Sequence, residues 1–244
     1  MSEIQRFEEE VRSNILGLAK DQDVQSLSRI WIREITRHKY AYNFSWMGRP
    51  IIQFPQDMIA MQEIIWNCKP DLIIETGIAH GGSLVYYASL MEMMQLDGYV
   101  LGIDIDIREH NYAAIDAHPM RKRIEMIQGS SVSPDTVAQV ATHVKGKKNV
   151  MVILDSNHTH EHVLEELQYY GPFVSPNNYL VVFDTLLEDM PDDLIRDRPW
   201  SKGNNPKTAV HEWLKSHPEF EIDKDIDHKL LISVAPDGYL KRVA

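Results

Sequence analysis

Leu72-Ile-Ile-Glu-Thr-Gly-Ile-Ala-His-Gly-Gly-Ser83 decides the fold. A short apolar run stops at an acid, passes through a glycine loop and enters a helical segment, Leu84–Met94. The chain then repeats the theme. Tyr99-Val-Leu-Gly-Ile-Asp104, Ile124-Glu-Met-Ile127, Val150-Met-Val-Ile-Leu-Asp155 and Tyr179-Leu-Val-Val-Phe-Asp184 are four more such runs. They are rich in β-branched residues and lack alternation, as strands buried on both faces of a parallel sheet do. A helix is expected to start near Thr159. Strand–helix alternation implies right-handed βαβ units and a doubly wound α/β fold. Phe220-Glu-Ile-Asp and Leu230-Leu-Ile-Ser-Val234 read as two further strands, the second entering a Pro236-Asp-Gly-Tyr239 turn.

Upstream, Ile4, Phe7, Val11, Ile15 and Leu18 recur at spacings of three and four, one face of an amphipathic helix. Leu27, Ile30, Trp31 and Ile35 mark a second helix. Tyr40 to Pro50 is aromatic and reads as irregular. Pro55 is suited to the first turn of a third helix, carrying Met58, Met61, Ile64 and Ile65 and stopping near Cys68-Lys-Pro70. Residues 1–60 are expected to form a helical cap packed on a main domain, 61–244.

The 244 residues carry 25 Lys+Arg against 36 Asp+Glu, so 25 − 36 = −11. That balance opposes the basic footprint of a nucleic-acid binder and disfavours an anionic membrane surface. Cys68 is the single cysteine, which excludes an intrachain disulfide and fits a reducing compartment. The N-terminal stretch has no apolar signal core. No apolar run approaches the roughly 20 residues of a membrane helix. A cytoplasmic location with no membrane partner is the expectation.

Ligands of open α/β sheets bind outside the carboxyl ends of the strands, where strand order reverses. The five ends carry Glu75, Asp104, Gly129-Ser130-Ser131, Asp155 and Asp184. Any one of the acids is explicable as a turn former or cap; four at one rim point to a ligand site. The loop with Gly77, His80, Gly82 and Ser83 offers backbone N–H groups at a helix N-terminus. It is not G-x-G-x-x-G, so the dinucleotide fingerprint is unmatched. Glu75 would repel a pyrophosphate but suits a cationic group such as the ammonium or sulfonium of S-adenosylmethionine. Asp104 is placed to accept hydrogen bonds from a ribose diol, a role it would also have in an NAD site. His80, Ser130, Ser131 and Asp155 join it as candidate cofactor contacts.

Three segments resemble the cephalosporin hydroxylase family, which has the class I methyltransferase fold and includes rhamnosyl O-methyltransferases. They are Asn43-Phe-Ser-Trp-Met-Gly-Arg-Pro-Ile-Ile-Gln-Phe-Pro-Gln-Asp57, Glu75-Thr-Gly-Ile-Ala-His-Gly-Gly-Ser83 and Leu154-Asp-Ser-Asn-His-Thr-His-Glu-His-Val163. The resemblance runs from about residue 25 to the end. It implies a Rossmann-like, mostly parallel sheet with a C-terminal antiparallel strand. It also implies an S-adenosylmethionine site at the glycine loop and a divalent cation, Mg²⁺, at the ends of strands four and five. Mg²⁺ takes one or two carboxylates plus water and substrate oxygens, and Asp155 and Asp184 are its candidate ligands. Relatives in the family carry two consecutive acidic or amide residues on strand five; here Phe183 and Thr185 flank Asp184. Glu188 or Asp189 are the candidates to compensate, and Thr185 to add a neutral oxygen.

His158, His160 and His162 follow Asp155 closely. The i, i+4 pair of His158 and His162 lacks an evident third zinc ligand, and an outward or capping role suits His160. His158 shares a loop with Asp155, where a neutral imidazole can remove a hydroxyl proton. His158 and Asp155 are therefore the candidate catalytic residues. The aromatic stretch Tyr40–Trp46 reads as packing, with a sugar-stacking wall as the alternative and Arg49 turned inward. Leu187–Asn205, polar and Pro-containing, is placed as a lid. The expected activity is S-adenosylmethionine-dependent O-methylation of a sugar or other natural-product small molecule, a homo-oligomer being compatible. The alternatives are a non-catalytic partner subunit of the same fold and an NAD-dependent oxidoreductase.

Overall fold

Alternate residues of each central strand go to opposite sides, and each side has its own core. The computed structural model describes residues 1–191, 194 and 197–244. Seven strands form one sheet: β3 (Leu72–Thr76), β4 (Tyr99–Asp104), β5 (Ile124–Gln128), β6 (Val150–Leu154), β7 (Tyr179–Val182), β8 (Phe220–Ile222) and β9 (Tyr239–Arg242). Their order is β5-β4-β3-β6-β7-β9-β8. β3 to β7 pair in parallel, while β9 runs antiparallel to both β7 and β8. Ile73, Val100, Met151 and Val181 face α3 (Pro55–Cys68), α4 (Gly82–Met93) and α5 (Glu109–Asp116). Leu72, Ile74, Leu101, Val152 and Leu180 face α6 (Pro134–Val144), α7 (His160–Tyr170) and α8 (Pro206–Trp213). This is the doubly wound sheet the apolar runs implied. Strand order reverses between β3 and β6, so ligand chemistry is expected at their carboxyl ends.

α3 opens with Pro55 in its first turn and ends at Lys69 in the left-handed region. α1 (Glu3–Lys20) starts at a capping box of Ser2 and Gln5 and buries no residue. α2 (Gln22–Thr36) buries only Ser28 and Ile32. The boundary read at residue 60 falls within α3, whose Met61, Ile64 and Ile65 belong to the core shared with the sheet. The stretch read as irregular is ordered: a helical turn at Tyr40–Asn43 leads into a hairpin, β1 (Phe44–Trp46) and β2 (Arg49–Ile51). Met47 and Gly48, both at positive φ, make its two-residue turn.

Leu230–Val234, read as a strand, is not one. α9 (Lys224–Leu230) fills the first position, and Leu231 takes a positive φ of 58° that ends extended pairing. Ser233 and Val234 instead donate to the buried carboxylate of Asp57, at 2.6 and 2.9 Å. Tyr239, opening β9, donates to the same carboxylate at 2.7 Å. The turn at residues 236–239 therefore precedes the last strand rather than following it.

Candidate active site

A cavity of about 590 Å³ opens at the carboxyl ends of β3, β6 and β7. Gly77, His80, Gly82 and Ser83 of the glycine loop line one side, Asp155, His158 and Asp184 the floor, and Tyr40, Tyr42, Met190 and Trp200 the outer walls. A more open depression of about 720 Å³ lies by Asp71, Gly98 and Tyr99. It sits at the amino ends of β3 and β4, the wrong rim for an open α/β sheet.

The loop is shaped by contacts with its own chain. Gly77, at φ 90°, lies so close to β6 that a Cβ would stand 2.0 Å from the Asp155 carbonyl oxygen. A Cβ on Gly82 would stand 2.1 Å from the Pro50 carbonyl oxygen. The two glycines thus serve approach to backbone, not only to a ligand. Arg49 does turn inward: its Nε donates to the His80 carbonyl at 2.9 Å, and Nη2 donates to Asn111 Oδ1 at 3.0 Å. Asn111 Nδ2 in turn donates to the Ala79 carbonyl at 2.8 Å. Sequence reasoning missed Asn111, whose signal, an amide buried on a polar helix, is weak.

Asp104 folds back onto this loop. Its Oδ2 accepts from the N–H groups of Ile78 and Ala79 at 2.8 and 3.3 Å, and Oδ1 from Asp106 N at 3.0 Å. A carboxylate has about four acceptor sites, so capacity for one more donor remains. Glu75 is fully buried behind the loop. Ser83 Oγ donates to its Oε2 at 2.7 Å, while Oε1 has no partner among the described residues. Burial, only partly offset by Ser83 and Tyr87, pushes its carboxyl up to about 8.

The floor gathers acids. One ligand atom each from Asp155, His158 and Asp184 lie within 4.8 Å of one another. His158 Nε2 stands 3.1 Å from Asp184 Oδ2. Burial, then the carboxylates of Asp184, Glu75 and Glu166, hold the Asp155 carboxyl well above the usual range. Strand five ends at Val182, and Asp184 takes a positive φ of 57° that swings its side chain towards β6. Phe183 packs in the core, as the strand's alternation requires, with one face on the cavity.

The compensating oxygens proposed from sequence are committed elsewhere. Thr185 Oγ1 donates to the Pro236 carbonyl at 2.7 Å. Glu188 Oε2 accepts from Gly203 N at 2.8 Å, and Asp189 pairs with Lys207 at 2.6 Å. The three histidines diverge. His160 Nδ1 meets Thr208 Oγ1 at 2.8 Å, on α8. His162 Nε2 lies 3.1 Å from Ser131 Oγ and 3.2 Å from Ser156 Oγ, and Glu166 raises its pKa. Only His158 reaches the cavity, its ring edge-on to Trp200 at 4.6 Å. Ser130 and Ser131 do not line the cavity, nor does Asp104.

Trp46 packs edge-on against Tyr86 and donates to Ser89 Oγ at 2.9 Å, as a packing role requires. Tyr40 and Tyr42 instead face the cavity. Of the segment read as a lid, Leu187, Met190, Leu194, Arg198 and Trp200 form a wall; residues 192, 193, 195 and 196 lie outside the described residues. No described helix is long and apolar enough to cross a membrane.

Known proteins carry the same plan. A rhamnosyl O-methyltransferase of Mycobacterium leprae is 30% identical over 217 residues, covering 84% of this chain and 88% of its own. One from Mycobacterium tuberculosis is 29% identical over 214 residues, covering 84% and 83%. A CmcI structure with Mg and SAM superimposes with a TM-score of 0.59 at 20% identity, covering 83% of this chain and 78% of that one. A Bacillus cereus O-methyltransferase in complex with SAH superimposes with a TM-score of 0.51 at 11% identity, covering 80% and 81%. These two likenesses speak to the fold. Residues 38–243, which span the hairpin, the glycine loop, the acidic floor and the whole sheet, match one family, and the chain belongs to it: Rhamnosyl O-methyltransferase/CmcI.

Proposed function

We propose that this chain is an S-adenosylmethionine-dependent O-methyltransferase acting on a hydroxyl of a sugar or sugar-bearing small molecule, with a divalent cation at Asp155 and Asp184. The carrying observation is the juxtaposition, in one cavity, of the glycine loop and the Asp155–His158–Asp184 floor. The residues fit both groups. Glu75 is buried behind the loop with no partner for Oε1 among the described residues, and its carboxyl, raised to about 8, would give up its proton to become the negative centre that a cationic donor needs. The N-terminus of α4, with no side-chain cap, offers N–H groups to a carboxylate. Asp104, though not part of the cavity lining, keeps room for one more hydrogen-bond donor beside the loop and is the candidate for the donor's ribose, whereas Ser131 is engaged with His162 and neither it nor Ser130 lines the cavity. The crowded carboxylates of the floor suit a cation.

Bound S-adenosylmethionine supplies an electrophilic methyl group, and a bound divalent cation supplies a Lewis acid that lowers the pKa of a hydroxyl. Asp155 and Asp184 would hold that cation. His158, 3.1 Å from Asp184, lies on the same floor beside the two aspartates. Tyr40, Tyr42 and Trp200, aromatic walls of the cavity, would pack against a sugar and exclude water, aligning the acceptor with the donor, the main contribution a protein makes to in-line transfer. The hairpin and the helices before α3 act as a cap, since they bring Thr36, Arg37 and Tyr40 to the cavity. A cytoplasmic site of action fits the lone Cys68.

Calorimetry with S-adenosylmethionine and with NAD, followed by methyl transfer to a panel of rhamnosides and related glycosides, tests the reading. Binding of the methyl donor alone, and transfer abolished by chelator with donor binding intact, is the expected result. Tight NAD binding, or full transfer in excess chelator, would overturn it.

A further inference from the structure

The floor departs from an all-oxygen magnesium site, and its third donor is nitrogen. We propose that the Asp155–His158–Asp184 cluster takes a first-row transition ion, Mn²⁺ being the working example, in preference to Mg²⁺, with the His158 imidazole as a direct ligand. This rests on the reading that the cluster is the enzyme's cation site.

Three observations carry it. The donor atoms of Asp155, His158 and Asp184 lie within 4.8 Å of one another, and no other His, Cys, Asp or Glu joins them among the described residues. The 3.1 Å between His158 Nε2 and Asp184 Oδ2 matches neighbouring ligands of one octahedral ion, which at about 2.1 Å bonds stand about 3 Å apart. The oxygens that would make a hard site are elsewhere: Phe183 offers hydrocarbon, and Thr185, Glu188 and Asp189 are bonded to Pro236, Gly203 and Lys207.

His158 is also held for the role. Asn157 Oδ1 accepts from the Thr159 N–H and hydroxyl, both at 2.9 Å, which fixes the loop. Ser156 turns away to donate to Glu166 at 2.7 Å. Trp200 then braces the imidazole edge-on. A ligand whose ring is fixed before binding loses little freedom on coordination. Imidazole binds the first-row transition ions, Mn²⁺ the most weakly of them, while Mg²⁺ keeps to carboxylate, carbonyl and water and gives up its waters reluctantly, so a nitrogen donor disfavours Mg²⁺ most. One imidazole among two carboxylates therefore tilts selectivity without demanding a softer thiolate set.

The test uses the full chain, stripped with chelator and titrated with Mn²⁺ and with Mg²⁺ by calorimetry. Mn²⁺ is expected to bind at least about tenfold more tightly than Mg²⁺. Electron spin echo modulation of the Mn²⁺-loaded protein is expected to show a directly bound ¹⁴N, absent in His158→Asp, in which the preference for Mn²⁺ narrows. Equal affinities, or bound Mn²⁺ without ¹⁴N modulation in the unmutated protein, would overturn the inference. If binding needs both aspartates but ignores His158, the inference fails and the cation site stands. If Asp155→Asn and Asp184→Asn leave Mn²⁺ affinity unchanged, the cation site itself is wrong.

Discussion

Replacing Glu75 with glutamine should flatten the pH dependence of stability without disturbing the fold. Glu75 is wholly buried, and its carboxyl titrates at about 8 in the folded chain against 4.5 when unfolded. A raised carboxyl means the folded state holds the proton longer, so stability from this group is complete below pH 4.5 and is lost as pH rises through 8. Where only the folded chain holds the proton, each rise of one in pH removes about 1.4 kcal/mol. Between pH 6 and pH 8 the group therefore costs the ligand-free fold about 2 kcal/mol of stability, an order-of-magnitude figure. Urea unfolding of Glu75→Gln and the unmutated chain across that range measures it. The difference in unfolding free energy should move by about 2 kcal/mol in favour of Glu75→Gln as pH rises. Asp57, raised to about 6 by burial, contributes with the same sign, but to both proteins, so it cancels in the difference. A constant difference from pH 6 to pH 8 would refute the reasoning and place Glu75 in contact with water or a cation.

Gly77→Ala puts a methyl group against the Asp155 carbonyl and a side chain at φ 90°, a backbone cost of about 1–2 kcal/mol before any clash; a lower melting temperature and loss of transfer are expected. Arg49→Ala removes the tie between β2 and the glycine loop; losing charge-assisted hydrogen bonds of about 1.5–3 kcal/mol should weaken donor binding measured by calorimetry. Thr185→Val should lower stability by about 1 kcal/mol in a thermal melt while leaving turnover unchanged, because its hydroxyl serves Pro236.

The five parallel strands were legible because two-sided burial leaves uninterrupted β-branched runs such as Val150–Leu154. The acids at their ends were legible because sheet geometry delivers strand ends to one rim. The hairpin at Phe44–Ile51 was not, since three-residue strands carrying Pro50 give no period. Leu230–Val234 misled because an apolar run does not distinguish a strand from a packed turn, and the deciding partner, Asp57, is distant in sequence. The true strand, Tyr239–Arg242, hides behind Lys241 and Arg242. At the site, the union of Asp155, His158 and Asp184 needed the left-handed backbone at Asp184, which an aspartate tolerates but does not announce. Asp104 was placed at the right strand end, yet its engagement with Ile78 and Ala79 is a tertiary contact no local pattern encodes.

The position of β9 orders assembly in time. It lies between β7 and β8, although β8 precedes it in the chain. Residues 220–222 therefore have no ladder partner until residues 239–242 are in place, and the outer edge of β7 waits for the same strand. The same docking brings Tyr239 to Asp57, a closure across most of the chain. Such long-range pairing is slow because loop entropy is lost before contacts form. Until it happens, β7 presents an open edge beside the cavity floor. The open edge of β7 and the unpaired ladder of β8 are thus closed by one strand of four residues.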